Sequence, residues 1–418
     1  MPRCLASAVA ALLLAVVMLA PGGVVAQEVD ELAALIEAGR AHFEAAEFDA
    51  AESDFRLALQ KDNQSAEALC GLGAIYLRQG KAADAGVVLH QALSINPNLA
   101  AARNDLGVYF LQIADTAHAV QQFKAAVELA PDNPAARFNL GLAFLAASQW
   151  QDAAEALKGA EERGADSADL HHALARALLG QGKPGPAAEE FEAAIQRAPD
   201  KAFLWVALGR ARLQAGQAAK AVDALHQAVM LEPRSRVGWE ELPAALAALA
   251  QPAETLAGLH KKAAESGGDV LLQLECGLFA LSQKTLDIAE ASLKRATELD
   301  PDNPVGWAGL GWTHVLEEKW EQAAPALEKA CAAAPDDPAV LVNLALAYFH
   351  TGREADYEAT LRRILAVDKY NYEAAFSLGM VLERRQDWGA AALAFGRAAT
   401  ARETAEALAR LGHCLVEG

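Results

Sequence analysis

The stretch AAARNDLGVYFLQIADTAHAVQQFKAAVELAPDN, residues 100–133, decides the fold because its pattern recurs along nearly the whole chain. We number each repeat so that the recurring glycine stands at position 8, which makes Leu32 the first residue of repeat 1 and Tyr372 the first residue of repeat 11. A period of 34 residues indicates a solenoid, in which each unit buries its apolar face against its neighbours. The eight glycines on this register are Gly39, Gly73, Gly107, Gly141, Gly209, Gly277, Gly311 and Gly379.

Two helices are predicted in every repeat. Apolar residues at positions 4, 7, 8 and 11 follow the roughly 3.6-residue period of a first helix, and positions 20, 24 and 27 follow it again for a second helix. Position 24 is large and apolar in all eleven repeats, as in Phe123 and Leu327. Position 15 is glycine in four repeats, such as Gly80, and glycine tolerates the positive φ of a helix end. Proline-rich turns such as residues 131–134 separate the repeats.

These positions resemble the tetratricopeptide repeat. The resemblance covers residues 32 to 418 without an insertion. It implies an all-α fold, a right-handed α-solenoid of about eleven helix-turn-helix units plus a C-terminal capping helix. It also implies protein binding without naming the partner, because the same frame serves many unrelated tasks. We expect Gly or Ala at position 8 to let two helices approach, with Leu or Phe at position 24 beside them. The family pattern W-x2-L-G-x2-[YF], A-x3-F-x2-A-x4-P is met by Leu106, Gly107, Phe110, Ala119, Phe123, Ala126 and Pro131.

The repeats also divide the chain into segments. Repeat 7 carries Pro243 at position 8, inside its first helix, where a proline removes a hydrogen bond at a cost of about 3 kcal/mol. Two interpretations of this repeat stay open: a hinge between two arrays, or a decayed repeat that its neighbours tolerate. The predicted segments are a signal peptide at 1–26, six repeats at 27–235, the degenerate repeat at 236–269, four repeats at 270–405 and a capping helix at 406–418.

The first residues of the chain do not fit the repeat. Arg3 precedes an apolar run from Leu5 to Ala20, and small residues end the segment at Ala26. This order is typical of a secretory signal peptide, so we expect cleavage after Ala26 and a location in the periplasm or outside the cell. The alternative is an uncleaved membrane anchor, since the run approaches the about 20 residues that span a bilayer.

Charge and cysteine content narrow the class of partner. A formal net charge of −19 opposes binding to nucleic acid or to anionic lipid. We expect the cysteines beyond the leader to be structural thiols, because Cys70 and Cys276 are six repeats apart, too far for a disulfide in a straight solenoid. The other two are Cys331 and Cys414.

No catalytic constellation stands out in the sequence. It contains no metalloprotease, nucleophile-elbow, phosphate-loop or dinucleotide-binding fingerprint. His171 and His172 are neighbours on a first helix and point about 100° apart, so they are not expected to share a metal ion. We therefore predict a protein that is not an enzyme and has no cofactor and no metal site.

In the tetratricopeptide-repeat family the first helices line a concave groove through positions 2, 5, 6, 9, 12 and 13. The large apolar residues at these positions suit an extended or helical peptide, and ordinary packing between repeats is the alternative for each of them. Arg176 and Arg210 share position 9 of adjacent repeats, so we expect them to bind a partner carboxylate or to pair with a nearby acidic residue. The groove residues predicted from the resemblance are Phe138, Asn139, His172, Arg176, Phe203, Arg210, Trp312, Asn343, Phe376 and Met380.

Two peptide-gripping devices of the family are predicted to be absent. No lysine occupies position 5, and Asn139 and Asn343 are six repeats apart, so we expect neither the carboxylate clamp nor an asparagine ladder. The favoured function is an exported, non-catalytic scaffold that binds a protein or peptide in the groove. The alternative is an assembly or secretion factor for envelope polysaccharide export or outer-membrane complexes.

Overall fold

The computed structural model describes residues 21–418, with side chains described from residue 31. This part of the chain holds twenty-three α-helices and no strand, which confirms the predicted all-α fold of helix pairs with a closing helix. Arg3 and the apolar run from Leu5 to Ala20 lie outside the described residues. The first helix of the described part spans Pro21–Glu44, so the predicted cleavage point after Ala26 falls inside it.

The chain forms two compact units, which we call unit 1 and unit 2; unit 1 ends at Arg197 and unit 2 spans residues 198–418. Odd-numbered helices up to α21 are the first helices of their repeats, even-numbered helices are the second, and α23 follows the last pair. The helices of unit 1 are α1 (Pro21–Glu44), α2 (Phe48–Lys61), α3 (Ala66–Arg78), α4 (Ala82–Ile95), α5 (Ala100–Gln112), α6 (Thr116–Leu129), α7 (Pro134–Ala146), α8 (Trp150–Glu161), α9 (Ala168–Gly180) and α10 (Pro184–Arg197). Those of unit 2 are α11 (Ala202–Gln214), α12 (Ala218–Leu231), α13 (Arg236–Ala247), α14 (Pro252–Glu265), α15 (Val270–Ser282), α16 (Leu286–Leu299), α17 (Pro304–Leu316), α18 (Trp320–Ala333), α19 (Pro338–His350), α20 (Glu354–Val367), α21 (Tyr372–Arg384), α22 (Trp388–Ala401) and α23 (Ala405–Glu417).

The turn inside each repeat depends on positive φ at position 15. Gly80 has a φ of 72°, as predicted for a glycine there, but Ala114 and Glu318 adopt 60° and 57° at the same position. The turn imposes this conformation through a hydrogen bond across it, such as Asp115 N to the Phe110 carbonyl at 2.8 Å. Ten of the eleven repeats share this turn, and repeat 7 does not.

Position 8 is where the two helices of a repeat meet. A Cβ built on Gly311 would lie 2.6 Å from Leu327 Cγ, and one on Gly107 would lie 2.6 Å from Phe123 Cε1. At all eight glycines of position 8, the atom nearest to such a Cβ belongs to the position-24 residue of the same repeat. The expected close approach is confirmed at these eight glycines, where a Cβ would overlap the position-24 side chain.

Repeat 7 departs from this packing. Pro243 lies inside α13 in place of the glycine, and α13 contacts α14 less than the paired helices of any other repeat contact each other. Leu259 at position 24 is only half-buried, and on α14 Leu256 and Ala263 alone are buried. The helix pair of repeat 7 is therefore open, and this repeat has proline where the others have glycine or alanine at position 8.

The C-terminal helix α23 caps the last pair, as predicted. It buries Ala407 and Cys414 in the core that it shares with α22. Its first turn is capped by Thr404, whose Oγ1 accepts from Ala407 N at 3.2 Å, and Arg410 Nη1 donates to Glu383 Oε2 at 2.6 Å. These contacts cover the apolar face that the final repeat would otherwise expose.

Candidate binding sites on the first helices

The main candidate site is a cavity of about 590 Å³ in unit 2, which we call the unit 2 cavity. It lies among four first helices, α13, α15, α17 and α19, and its volume is within the roughly 300–1,000 Å³ of typical ligand pockets. Its apolar wall is formed by Trp239, Pro243, Leu278, Leu281, Val305 and Trp312.

Two tryptophans line the unit 2 cavity, one of them buried and the other half-exposed. Trp239 is 2% exposed, and its Nε1 donates to the Pro233 carbonyl at 2.9 Å, which holds the ring in one orientation. Trp312 stands at position 9 of α17 and is 50% exposed. A large aromatic side chain left half in water beside an apolar cavity is suited to contact a partner.

Polar residues complete the lining of the unit 2 cavity. The guanidinium of Arg236 on α13 pairs with Asp337, which precedes α19 three repeats later, and with Glu240. Asn343 Nδ2 donates to the Ala339 carbonyl at 2.9 Å. An apolar wall that includes a few polar groups can bury an apolar side chain while hydrogen-bonding the peptide that carries it.

Unit 1 has its own, smaller cavity of about 160 Å³, which we call the unit 1 cavity. It lies on the first helices α1, α3 and α5, with Phe55 of α2 behind them. Phe43, Leu99 and Ala74 supply apolar walls, and Asp105 brings a carboxylate to the same space.

Asp105 is held by neutral donors. Asn104 Nδ2 donates to Oδ1 at 3.2 Å, and the Cys70 thiol donates to Oδ2 at 3.6 Å. Burial raises the pKa of Asp105 to about 6, against the opposing effect of these two hydrogen bonds and of the Arg78 charge. Burial also raises the pKa of the Cys70 thiol, with the Asp105 charge as the second cause, so the thiol keeps its proton and acts as a donor.

An asparagine pair was missed in the sequence. Asn139 Nδ2 donates to Asn104 Oδ1 at 2.9 Å, so two asparagines of adjacent repeats do pair on the first helices of unit 1. The expectation of no ladder compared Asn139 with Asn343 and overlooked Asn104, one position earlier in the preceding repeat. The sequence could have indicated this pair, because Asn104 holds position 5 of repeat 3, Asn139 holds position 6 of repeat 4, and these positions of adjacent repeats lie side by side.

The groove residues predicted in unit 1 lie on α7 and α9. Phe138 and Asn139 are half-buried, and His172 packs its ring 5.9 Å from that of Phe191. Burial and, less strongly, the charge of Arg176 lower the pKa of His172, so its ring is neutral at pH 7. Arg176 is exposed.

The groove residues predicted in unit 2 fall into two groups. Trp312 and Asn343 both line the unit 2 cavity, and Phe203 on α11 is 51% exposed. Phe376 and Met380 pack against the core of the last repeats, which is the alternative that the sequence left open for them.

Arg210, which was predicted to share a site with Arg176, pairs with Glu241 of the next repeat at 2.8 Å. Pairing with an acidic neighbour was the second possibility for the two arginines. Arg176 belongs to unit 1 and Arg210 to unit 2.

One cluster among the described side chains has the donors of a metal site. Ligand atoms of Glu290, His314 and Glu317 lie within 4.8 Å of one another. Lys319 Nζ, however, is 2.9 Å from Glu290 Oε2 and 3.0 Å from Glu317 Oε2, and its hydrogen bond lowers the pKa of Glu290. The ammonium group supplies the positive charge that these carboxylates need, so the cluster serves as an ion-pair contact between α16 and the turn before α18.

The cysteines follow the expectation from the sequence. Cys70, Cys276, Cys331 and Cys414 are free and buried. Within residues 21–418, none of the helices is both long enough and apolar enough to cross a lipid bilayer.

Solved structures align with the chain at low sequence identity. PilF of Pseudomonas aeruginosa aligns with 51% of this chain and 97% of its own, with a TM-score of 0.46 and 20% identity. TTC0263 of Thermus thermophilus aligns over 44% of this chain and 99% of its own, with a TM-score of 0.37 and 21% identity. A chain of the APC/C hetero-tetramer Cut9–Hcn1 aligns over 92% of this chain and 96% of its own, with a TM-score of 0.36 and 13% identity. No curated protein shows significant similarity to the chain.

Family profiles match most of the repeats. A profile described as tetratricopeptide repeat matches residues 36–103, 104–168, 172–235 and 277–338, and a second profile with that description matches residues 314–378. Neither covers residues 236–276, where the open repeat lies. Because the matches cover more than half of the chain, it belongs to the tetratricopeptide-repeat family, whose members are typically non-catalytic scaffolds for protein interactions.

Proposed function

We propose that the chain is an exported scaffold that binds a segment of a partner protein through the unit 2 cavity, in the periplasm or cell envelope. The observation that carries this proposal is the cavity of about 590 Å³ on the first helices, with Trp312 half-exposed at its wall. Burying apolar surface there contributes about 25 cal/mol per Å² to binding. The export part of the proposal rests on the order of residues 1–26.

The occupant that fits best is an apolar side chain on a peptide. The mostly apolar wall favours the burial of an apolar side chain, and Asn343 and the Arg236–Asp337 pair supply polar groups for a peptide backbone. A segment that enters side-chain first would contact Trp312 and Leu281 and leave its backbone near these polar groups.

Site-specific photo-crosslinking tests the site. A photoreactive residue at Ser282, which is exposed and lines the cavity, is expected to capture a defined partner in the cells that make the protein. Adding Trp312→Ala should remove that adduct, while circular dichroism stays unchanged. Leu393, 73% exposed on the second helix α22, provides two controls: a photoreactive residue at position 393, and Leu393→Ala combined with the photoreactive residue at Ser282. An adduct that is equally strong with Trp312→Ala, or equally strong from position 393, would reject the unit 2 cavity as the binding site.

Export is tested on the same cells. The mass of the intact protein from the envelope fraction should correspond to a chain that begins at Gln27. Protein that retains residues 1–26, or that remains in the cytoplasmic fraction, would reject cleavage and export respectively.

A further inference from the structure

We propose that the unit 1 cavity receives a lysine side chain of the partner, with the Asp105 carboxylate as its counter-ion. This inference deepens the proposed function and rests on it, because the ligand is a side chain of a bound protein. It assigns unit 1 a recognition chemistry, for a cationic side chain, that differs from the apolar recognition proposed for unit 2.

The first argument is that Asp105 has a charge to pair. Its two hydrogen-bond donors, Asn104 and Cys70, are neutral. Among the side chains described, from residue 31 onward, no lysine, arginine or histidine forms an ion pair with it. Asp105 is partly buried; a carboxylate partly removed from water without a cationic partner carries a cost, which an entering ammonium group would relieve.

The second argument is the charge around the unit 1 cavity. Arg40 lines it from α1, but its guanidinium is engaged by Glu67 at 2.9 Å and by Glu37 at 3.6 Å. Glu44 lines the same space, and Arg78 of α3 lowers the pKa of Asp105 without pairing with it. Carboxylates therefore outnumber cations around the opening, which favours a positively charged ligand.

The third argument is shape. A volume of about 160 Å³ is below the roughly 300–1,000 Å³ of small-molecule pockets and suits a single side chain. The walls of Phe43, Ala74 and Leu99 can pack against the methylene stem of a lysine while its ammonium group reaches Asp105.

The hydrogen bonds of Asp105 favour lysine over arginine. Asn104 occupies one carboxylate oxygen and Cys70 the other. The parallel two-bond contact of a guanidinium needs both oxygens on one open edge, whereas a compact ammonium group needs one lone pair. Asn139 holds the Asn104 amide with its NH2 group directed at Asp105.

The test uses two small probes and the full chain. Nα-acetyl-lysine N-methylamide and its norleucine analogue have similar stems, and only the first carries a charge. Protein-detected NMR titration at pH 8 should show saturable binding of the lysine probe at the unit 1 cavity, at least about tenfold tighter than the norleucine probe. Equal binding of the two probes, or no binding of the lysine probe, would overturn the proposal.

Variants and pH complete the test. Asp105→Asn should weaken the lysine probe at least about tenfold, and Asp84→Asn, at an exposed site on α4, should leave binding unchanged. Binding should fall as the pH drops through about 6, where Asp105 of the free protein gains a proton. Unchanged affinity in Asp105→Asn, with circular dichroism showing an intact fold, would also overturn the proposal. These probes need no natural partner, so their failure leaves crosslinking at Ser282 untouched, and failure of that crosslinking leaves the probe result standing.

Discussion

Repeats 9 and 7 of unit 2 share one sequence register and differ in how their helices pack. In repeat 9, Gly311 lets Leu327 lie directly on α17, and Leu327 is 1% exposed. In repeat 7, Pro243 holds the same position and Leu259 is half-buried beside an open helix pair. The closed repeat therefore has glycine at position 8 and the open repeat has proline, and the predictions below test whether this residue controls the packing.

The open pair has a consequence for binding. Position 8 lies beneath the second helix in repeat 9, but in repeat 7 Pro243 lines the unit 2 cavity together with Trp239. The repeat that departs furthest from the family pattern therefore contributes directly to the candidate binding site. A repeat with a purely structural role would not need such a departure, whereas departures from the local pattern are expected at functional sites.

Truncating position 24 should separate the two repeats most strongly. Leu327→Ala removes a fully packed side chain and should lower the free energy of unfolding of unit 2 by about 2–5 kcal/mol. Leu259→Ala removes a half-buried side chain and should cost about 1 kcal/mol. Chemical denaturation of both variants measures the difference, and equal costs would show that repeat 7 is packed as tightly as repeat 9.

Filling position 8 tests the closed repeat. Gly311→Ala places a Cβ at 2.6 Å from Leu327 Cγ, and relieving that overlap should cost about 1–3 kcal/mol. Thermal melting followed by circular dichroism measures this cost. A melting temperature at or above that of the parent would mean that the helices of repeat 9 are not in close contact.

Restoring glycine in repeat 7 should close the open repeat. A proline in a helix interior is about 3 kcal/mol and a glycine about 1 kcal/mol less favourable than alanine, so Pro243→Gly should stabilise α13 by about 2 kcal/mol. The closed pair should also reduce the unit 2 cavity and weaken crosslinking from Ser282. Stronger crosslinking from Ser282, together with an unchanged rate of amide hydrogen exchange in α14, would contradict this link between Pro243 and the cavity.

The smallest effect is expected at Gly258, on the side of α14 where a Cβ would meet no atom within 4 Å. Gly258→Ala should stabilise the helix by about 0.5–1 kcal/mol, because alanine loses less backbone entropy on folding. It is the matched control for Gly311→Ala, and the two substitutions should move the melting temperature in opposite directions. A loss of stability at both sites would indicate that α14 packs against a neighbour on this side too.

Much of the fold follows from short-range pattern. The spacing of Gly107, Phe123 and Pro131 predicts two helices and a turn, because each depends on neighbours within one repeat. Positive φ at Glu318 was not predictable from residue type, since the turn imposes it on a residue that ordinarily avoids it.

The candidate sites were less predictable than the fold. Trp312 and Asn343 could be assigned to the first-helix face from register alone, and both line the unit 2 cavity. The pairing of Arg236 with Asp337 joins residues about three repeats apart and depends on how much each repeat rotates, which local pattern does not encode. The site around Asp105 could not be predicted from one repeat, because residues of several neighbouring helices form it.

Hydrogen exchange of the full chain tests the central claim, that the helix pair of repeat 7 is open, most directly. The relevant comparison is between α14 (Pro252–Glu265) and α18 (Trp320–Ala333), the second helices of repeats 7 and 9. We predict that amides of α14 exchange at least about tenfold faster than those of α18, because fewer buried contacts hold α14 in place. Equal protection of the two helices would contradict the account.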